Sequence, residues 1–325
     1  MEMEAYDNIL ELVGHTPLMR LRTGVPESGA KCYVKLEFMN PTGSIKDRMV
    51  AYILNKAVAD GRLKKGDSVI DNSSGNTGSA LAMIASVMGL KSIVTTPQKT
   101  SQEKTDLIKS YGAQVIVTPT EAAHDDPASH YMIARTMAKE KGYFDLNQYD
   151  SQENIEAHYH STGPEIWEDT GGRITHFVAG IGTGGTLSGA AKFLKEKNPN
   201  IKVIAVDPEG SIFADYIKSG KIIEGKLYKI EGIGSDVITG ALDKTVIDEV
   251  ITVSDKDSFN RARLVTRKEG LSCGGSSGAV AFAIEKVAAT ADKNAVIIGI
   301  FADSGIRYLS KCFNDEWMKQ QGFLE

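Results

Sequence analysis

Hydrophobic and polar positions follow two patterns along the chain, one typical of buried strands and one typical of amphipathic helices. Short runs rich in β-branched residues, namely CYVKL, SIVTT, QVIVT, HFVAG, KVIAV and AVIIGIF, predict strands. Between them, apolar residues recur at helical spacing. Two such stripes consist of Leu81, Ile84, Ala85 and Met88 and of Leu187, Ala190, Ala191 and Leu194. Each stripe is expected to lie against a sheet, so the alternation predicts an α/β fold of mainly parallel sheets flanked by helices.

Length, composition and charge favour a two-lobed protein that handles small molecules. The 325 residues are 42% hydrophobic and 24% charged, which allows a large core. No repeat or long charged linker is present, so the short polar segment 147–154 is the expected join between lobes. Lys and Arg total 37 against 42 Asp and Glu, and the net charge of -5 offers no attraction for nucleic acid or anionic membranes. Neither is therefore expected as a partner.

The cysteines and the N-terminus indicate a soluble, cytoplasmic protein. Cys32, Cys273 and Cys312 are far apart and form neither a disulfide framework nor a zinc ribbon. The segment MEMEAYDNILELV is acidic where a secretory signal would be basic, and no apolar run approaches the roughly 18 residues of a membrane span.

The most informative local feature is GIGTGGT at 180–186, between the strand HFVA and the helix TLSGAAKFL. The first turn of a helix has unpaired N–H groups and a partial positive charge, so a phosphate is favoured there. The hydroxyls of Thr183 and Thr186 would be further donors. A tight strand-to-helix turn without a ligand would have the same composition.

Dinucleotide binding is a competing interpretation of this segment. Gly180, Gly182 and Gly185 satisfy G-x-G-x-x-G, and Asp207 ends the next predicted strand, where such a fold places its ribose-binding acid. Against it, that fingerprint usually opens the first βαβ unit, and here it lies beyond the middle of the chain.

Two more turns of this kind precede predicted helices. SSGNTG at 73–78 lies between the predicted strand SVID and the predicted helix SALAMIASVMG. It brings hydroxyls, an amide and N–H groups to a helix start, which suits a carboxylate, although N-capping alone would explain the same residues. CGGSSG at 273–278 offers Ser276 as a hydrogen-bonding side chain and is a weak signal by itself.

Lys46 lies in NPTGSIKDR at 40–48, where a loop is expected to become a helix. Most lysines are solvated. A lysine in a partly buried site near other cations becomes nucleophilic, because desolvation favours the neutral amine. Lys46 is therefore a candidate nucleophile if a carbonyl cofactor lies beside it.

The histidines raise the question of a metal site, especially His158 with His160 and the pair His124 and His130. No carboxylate-rich loop or cysteine pair completes a set of ligands, so these residues are interpreted as surface or core residues and no metal is expected.

Together these segments resemble the β-replacement branch of the fold-type-II pyridoxal phosphate enzymes, the cystathionine β-synthase and cysteine synthase family. The resemblance runs through VGHTPL at 13–18, KLEFMN at 35–40, the Lys46 segment, SGNTG at 74–78 and GTGGT at 182–186. The segments most like the cystathionine β-synthase catalytic core are TPT at 118–120, PASHY at 127–131, VDPEGS at 206–211, EGIG at 231–234, EGLSCGGS at 269–276 and NDEWM at 314–318.

The resemblance implies a two-domain, tryptophan synthase β-like fold. A smaller, mobile domain, 42–148, would receive the substrate carboxylate, and a larger phosphate-binding domain would comprise 1–41 and 149–325. The active site would lie between them, and the chain would form a homodimer. The short N-terminus would have no haem-binding extension and no regulatory module would follow, so a catalytic core is expected.

The resemblance also implies roles for matching residues. Lys46 would form the internal aldimine with pyridoxal 5'-phosphate, Asn76 would contact the 3′ oxygen of the cofactor, and Ser276 would bond its pyridine nitrogen. The phosphate would be held by Gly182, Thr183, Gly184, Gly185 and Thr186. The substrate carboxylate would be received by Ser74, Thr77 and Gln148, with Ser73 and Gly232 nearby and Tyr149 lining the site.

The implied reaction is β-replacement on serine or cysteine through an aminoacrylate intermediate. Lys46 would take the α-proton, and a thiol or sulfide would then add. The products would be cystathionine, lanthionine, or cysteine and hydrogen sulfide. An O-acetylserine-dependent cysteine synthase is the alternative within this class. An NAD-dependent oxidoreductase and a catalytically silent scaffold are the alternatives outside it.

Departures from the family pattern leave the substrate preference open. Asp71, Asn72 and Ser73 replace the usual Glu-Pro-Thr, and Ser79 follows Gly78. Ser235 stands where cystathionine β-synthases often have an aromatic residue.

Overall fold

The computed structural model describes residues 5–27, 29–73, 75–120, 122 and 125–325. Its strands are β1 (Leu18–Arg20), β2 (Lys31–Leu36), β3 (Ser68–Asn72), β4 (Lys91–Pro97), β5 (Gln114–Thr118), β6 (Phe144–Asp145), β7 (His176–Gly180), β8 (Lys202–Pro208), β9 (Glu249–Val253) and β10 (Val296–Phe301). Every run predicted as a strand forms one, which confirms the α/β class.

The helices alternate with these strands. They are α1 (Lys46–Ala59), α2 (Asn76–Met88), α3 (Gln102–Ser110), α4 (His130–Lys141), α5 (Gln152–His160), α6 (Thr162–Asp169), α7 (Gly185–Lys197), α8 (Phe213–Ser219), α9 (Asp255–Glu269), α10 (Gly275–Thr290) and α11 (Asp315–Gln320). Short 3-10 turns occupy Ile9–Leu12, Glu37–Met39, Lys244–Val246 and Gly305–Tyr308. Within the described ranges, none of the helices combines the length and apolar character that crossing a bilayer requires.

One compact unit comprises the described residues of 1–14 and Asn40–Asn154. Its four strands are all parallel and lie in the order β5-β4-β3-β6. Helix α2 contacts β3 and β4 through its predicted stripe, in which Leu81 and Ile84 have no exposed surface. The mobility and carboxylate-binding role expected for 42–148 stay a prediction.

The strand order of this unit places two loops together. Strand β3 has β4 on one side and β6 on the other, and all three run in the same direction. The loops that follow β3 and β6 therefore meet at the carboxyl edge of the sheet, at a change of strand order. Open α/β sheets bind ligands at such an edge.

The second unit comprises the described residues of His15–Met39 and Ile155–Glu325. Its sheet has the order β1-β2-β10-β7-β8-β9, in which only β1 is antiparallel to its neighbour. Helix α10 packs along this sheet, and all four members of the α7 stripe have no exposed surface. Strand β7, which leads into the glycine-rich segment, lies between β10 and β8, again at a change of strand order.

Candidate active site

Lys46 is the first residue of α1, and a buried carboxylate holds the loop before it. Asp47 has no exposed surface and accepts the Thr42 N–H at 2.7 Å as well as the Thr42 hydroxyl. The Lys46 N–H donates to Ser44 Oγ at 3.3 Å, and its side chain is partly buried. These bonds fix the backbone of Lys46 at the helix start that the sequence predicted.

The turn between β3 and α2 is built around the Ser73 hydroxyl. Ser73 Oγ accepts the N–H of Gly75 at 3.2 Å and that of Gly78 at 2.9 Å. Both of its lone pairs are thus used, and its proton is left to donate elsewhere. The N-cap residue of α2, Gly75, has no side chain to cap the helix, and no acceptor for the Thr77 N–H lies among the described residues. The turn can therefore donate several hydrogen bonds to an anion.

Gln148 joins this turn to the end of β6. Its Oε1 accepts the Thr77 hydroxyl at 2.7 Å, while its Nε2 donates to Asp71 Oδ2 and to the Asn72 carbonyl, each at 2.8 Å. The structure thus brings Thr77 and Gln148 together, as a shared carboxylate site requires. In this arrangement both amide protons and the threonine proton have protein acceptors, so each side chain would have to exchange a partner to donate to a substrate.

The backbone before Gln148 adopts an uncommon conformation. Asn147 has a φ of 48°, a left-handed value that asparagine tolerates better than most residues. Asp145 Oδ1 accepts its N–H at 3.0 Å, and Asn154 Nδ2 donates to the Gln148 carbonyl at 2.8 Å. Gln148 is therefore held from both sides. The next residue, Tyr149, packs its ring against Tyr131, with ring centroids 5.4 Å apart.

Asp71 is the residue that sequence reasoning missed here, since it was noticed only as a departure from the family pattern. It has no exposed surface, and its Oδ1 has no partner among the described residues. Burial and the nearby Asp145 carboxylate raise the pKa of Asp71 well above its ordinary value, against the effect of the hydrogen bonds with Gln148. A buried acid behind Gln148 has no local signature in the sequence, because the two residues are 77 positions apart.

In the second unit, the segment 180–186 leaves β7 and enters α7 as predicted. Gly184 has a φ of 94°, which favours glycine, and no side chain caps the helix. A Cβ atom on Gly184 would lie 2.7 Å from Leu242 Cα, and one on Gly182 would overlap the Gly232 carbonyl oxygen. Among the described residues no acceptor is found for the N–H groups of Gly184, Gly185 and Thr186. This donor set fits a phosphate.

Ser276 lies beside this loop, at the second position of α10. A Cβ atom built on Gly232 would be 4.0 Å from Ser276 Oγ, and Gly232 in turn packs on Gly182. Ser276 is only 4% exposed, and its hydroxyl has no hydrogen-bond partner in the described ranges. A polar ligand atom would satisfy such a hydroxyl. Three predicted residues from distant parts of the chain thus lie close together.

Asp207 does not meet the needs of a dinucleotide site. It has no exposed surface, and its Oδ2 accepts the Ala214 N–H at 2.8 Å, near the start of α8. Burial raises the pKa of Asp207 to about 6. A ribose-binding acid must be accessible to its ligand, so the feature that favoured nicotinamide binding is absent here.

The histidines have other partners than a metal. His158 Nδ1 lies 2.8 Å from Thr162 Oγ1, and its Nε2 lies 3.1 Å from Thr186 Oγ1. The ring of His160 lies against that of Tyr159. Throughout the described ranges, no group of three or more His, Cys, Asp or Glu side chains could hold a metal ion. His124 lies outside these ranges.

The predicted site residues divide between the two units. The first unit carries Lys46, Ser73, Asn76, Thr77, Gln148 and Tyr149. The second carries Gly182, Thr183, Gly184, Gly185, Thr186, Gly232 and Ser276. Ser74 lies outside the described residues. The roles of all these residues towards a cofactor and a substrate stay predictions.

Both units place a glycine- and hydroxyl-rich turn at a helix start that follows a parallel strand, which defines an α/β protein of the class that binds small anionic molecules. Comparison with known proteins then gives the family. The family model described as "Pyridoxal-phosphate dependent enzyme" matches residues 9–303, so the chain belongs to this family. This membership confirms the resemblance seen in the sequence, the expected fold and the expected cofactor.

The relatives include two kinds of enzyme. A cystathionine beta-synthase of Apis mellifera is 44% identical over 322 residues, which are 98% of this chain and 63% of that protein. A cysteine synthase of Staphylococcus aureus is 37% identical over 311 residues, which are 95% of this chain and 97% of that protein. The crystal structure of an O-ureido-L-serine synthase matches with a TM-score of 0.89 at 32% identity, covering 97% of this chain and 100% of that chain. The chain thus spans less than two thirds of the cystathionine beta-synthase.

Proposed function

We propose that this protein uses pyridoxal phosphate to replace the β-substituent of serine or cysteine with a thiol or sulfide, in the manner of a cystathionine β-synthase. The observation that carries the proposal is the cluster of Gly182, Gly232 and Ser276 in the second unit. The cluster contributes one neutral hydroxyl, that of Ser276, which suits a ring nitrogen. It adjoins the loop whose N–H groups at Gly184, Gly185 and Thr186 suit a phosphate.

In this proposal each part of the cofactor would be held by residues of this chain. The loop from Gly182 to Thr186 would hold the phosphate, Ser276 the pyridine nitrogen, and Asn76 the 3′ oxygen. Lys46 would hold the aldehyde carbon. When bound, pyridoxal phosphate supplies an electron sink that stabilises negative charge at the α-carbon of an amino acid.

Ser276 limits how strongly that charge is withdrawn. A hydroxyl can donate or accept one hydrogen bond at the ring nitrogen without adding a charge, whereas an aspartate there would favour a protonated nitrogen. The site is therefore suited to rapid departure of the β-substituent rather than to transfer of the amino group.

Lys46 Nζ would move the proton. Once the substrate amine has taken its place on the cofactor, the freed amine would accept the α-proton as a general base and later return it. Its place at a helix start, where Asp47 and Ser44 hold the loop, keeps the backbone that carries this amine in one position.

The substrate carboxylate would be received at the carboxyl edge of the first sheet. Ser73, Ser74 and the Thr77 N–H would donate to it, and Gln148 would donate after leaving Asp71 or Asn72. Tyr149 and Gly232 would border the bound substrate. Burial raises the pKa of Asp71, which favours its uncharged form, and an uncharged carboxyl group tolerates the loss of a donor better than an ionised one.

A cysteine synthase acting on O-acetylserine is the second candidate. It is favoured by the relative from Staphylococcus aureus, which this chain matches over 97% of its length. The same relationships underlie two smaller proposals, that the chain forms a homodimer and acts in the cytoplasm.

A substrate matrix tests both candidates. Serine, cysteine and O-acetylserine are each assayed with homocysteine and with sulfide, and the products are identified by mass spectrometry. Turnover of serine or cysteine supports the first proposal. Activity confined to O-acetylserine with sulfide rejects it in favour of the second, and failure to bind pyridoxal phosphate rejects both.

A further inference from the structure

His158 lies directly behind the last residue of the glycine-rich loop, within the second unit. It is 1% exposed and contacts two threonine hydroxyls, one on each ring nitrogen. Helix α5, which carries it, approaches α7 closely at Gly189, where a Cβ atom would overlap the Ile155 carbonyl oxygen and lie 3.0 Å from His158 Cβ. The absence of a side chain at 189 therefore lets the imidazole reach Thr186.

The Thr162 hydroxyl determines which ring nitrogen carries the proton. Thr162 has no exposed surface, and in the described part of the chain His158 Nδ1 is the only hydrogen-bond partner of its hydroxyl. A buried hydroxyl proton needs an acceptor, and Nδ1 is the one in reach. A nitrogen that accepts a hydrogen bond carries no proton, so the proton of the ring lies on Nε2.

This tautomer decides the direction of the second hydrogen bond. The Nε2–H donates to Thr186 Oγ1 across 3.1 Å and occupies one lone pair of that oxygen. The Thr186 proton must then point elsewhere, and no acceptor for it lies among the described residues. The opposite tautomer would take up this proton and leave only lone pairs, which repel an anion.

We propose that His158 is a positioning residue that, together with Thr162, fixes the Thr186 hydroxyl as a hydrogen-bond donor to the phosphate of pyridoxal phosphate. The inference rests on the proposed function, because it takes this phosphate as the ligand of the loop. It adds a relay from Thr162 through His158 to Thr186, in which the first two residues act without touching the cofactor.

The test compares the affinity of the apoenzyme for pyridoxal phosphate with its affinity for pyridoxal, which lacks the phosphate. Because hydrogen bonds to charged groups are strong, Thr186→Val and His158→Phe are expected to weaken pyridoxal phosphate binding roughly 10- to 100-fold. Thr162→Val leaves the loop and the imidazole intact, but the ring proton of His158 is no longer held on Nε2. This variant should weaken pyridoxal phosphate binding roughly 3- to 10-fold. The affinity for pyridoxal should not change in any of them.

Two controls separate the relay from a general packing effect. Thr162→Ser keeps the hydroxyl and should restore the wild-type affinity. Thr170→Val removes another buried threonine hydroxyl, which lies at the opposite end of α6 and is bonded to the Ile166 carbonyl at 2.8 Å, and should have no effect. Nitrogen NMR of the wild-type apoenzyme should place the His158 ring proton on Nε2 and show a mixture of tautomers in Thr162→Val.

Three results would overturn the relay: a ring proton on Nδ1, equal weakening of pyridoxal and pyridoxal phosphate binding, or a folded Thr162→Val variant that binds pyridoxal phosphate like the wild type. If His158→Phe does not fold, the affinity of Thr162→Val for pyridoxal phosphate still tests the relay. A wild-type protein that does not bind pyridoxal phosphate would instead reject the proposed function itself, so the two failures are distinguishable.

Discussion

Gln148 Nε2 donates to Asp71 Oδ2 at 2.8 Å, so the residue that follows β6 is tied to a carboxyl group buried at the end of β3. The same nitrogen also donates to the Asn72 carbonyl, which sets the amide orientation, because a flipped amide would turn its oxygen towards that carbonyl. Gln148 is therefore presented to Thr77 as an acceptor. Asp71 controls a side chain in the proposed substrate site although it has no exposed surface of its own.

Asp71→Ala is expected to lower the free energy of unfolding of the apoenzyme by about 2 kcal/mol or more, because a buried amide proton loses its acceptor and a cavity remains. Asp71→Asn keeps an acceptor for Gln148 and should cost less than about 1 kcal/mol. Urea unfolding of both variants measures the difference. Equal stability of the two would show that Asp71 does not hold Gln148.

The free energy of unfolding of Asp207→Asn, relative to that of the wild type, is expected to rise with pH. Burial raises the pKa of Asp207 from 3.8 to about 6, so the folded chain holds this proton more tightly than the unfolded chain does. The wild type therefore loses stability between those two pH values, and the loss levels off above them at about 3 kcal/mol. Thermal unfolding at pH 4 and pH 8 measures the change.

Asp248→Asn provides a control of opposite sign. Although burial opposes the shift, hydrogen bonds from Lys195 at 2.8 Å and from the Val203 N–H at 2.7 Å lower the pKa of Asp248. Its stabilising effect is present above the ordinary carboxyl pKa and is lost in more acidic solution. The difference in free energy of unfolding between this variant and the wild type should therefore shrink as the pH falls. If both variants changed with pH in the same direction, the opposite pKa shifts of Asp207 and Asp248 would be contradicted.

Lys46→Ala is expected to lower β-replacement at least about 100-fold, because the proposed general base is removed. Borohydride reduction of the wild-type holoenzyme should leave a covalent cofactor adduct on Lys46, detected by peptide mass spectrometry. Lys56→Ala, on the same helix and 40% exposed, should keep the wild-type rate and adduct. An adduct on another lysine would refute the role of Lys46.

Gly184→Ala is expected to weaken pyridoxal phosphate binding and to lower stability by at least about 2 kcal/mol, because a left-handed backbone and a clash with Leu242 act together. Gly220→Ala is the matched control, with a φ of 73° and no atom within 4 Å of its added Cβ. The free energy of unfolding of this variant should fall by only about 1 kcal/mol, because only the left-handed backbone conformation opposes the added methyl group. Similar losses in the two variants would contradict the close packing of the loop.

The strands that the sequence predicted are those with continuous apolar runs, and the three that it missed lack this signal. Strands β1 and β6 contain three and two residues, too few to show a period. Strand β9 mixes buried, half-buried and exposed positions without a regular period, and its run EVITV begins with an exposed glutamate. The inner strands of both sheets were therefore predictable, whereas of the four edge strands only β5 was.

The site residues were predictable as motifs but not as pairs. The glycine pattern gave the start of α7 correctly, because strand, turn and helix are contiguous in the chain. The bonds of Gln148 to Asp71 and of His158 to Thr186 join residues 77 and 28 positions apart. Such contacts depend on strand order and helix packing, which no local pattern encodes, and His158 was accordingly considered only as a metal ligand or a structural residue.

Position 189 shows how a residue without any functional group can govern chemistry at a distance. The imidazole reaches the loop only because two helices touch backbone to backbone there, so even one methyl group would act as a spacer between them. We therefore expect mutational tolerance at this glycine to be as low as at residues that hold the cofactor, although its substitution would alter no donor, acceptor or charge.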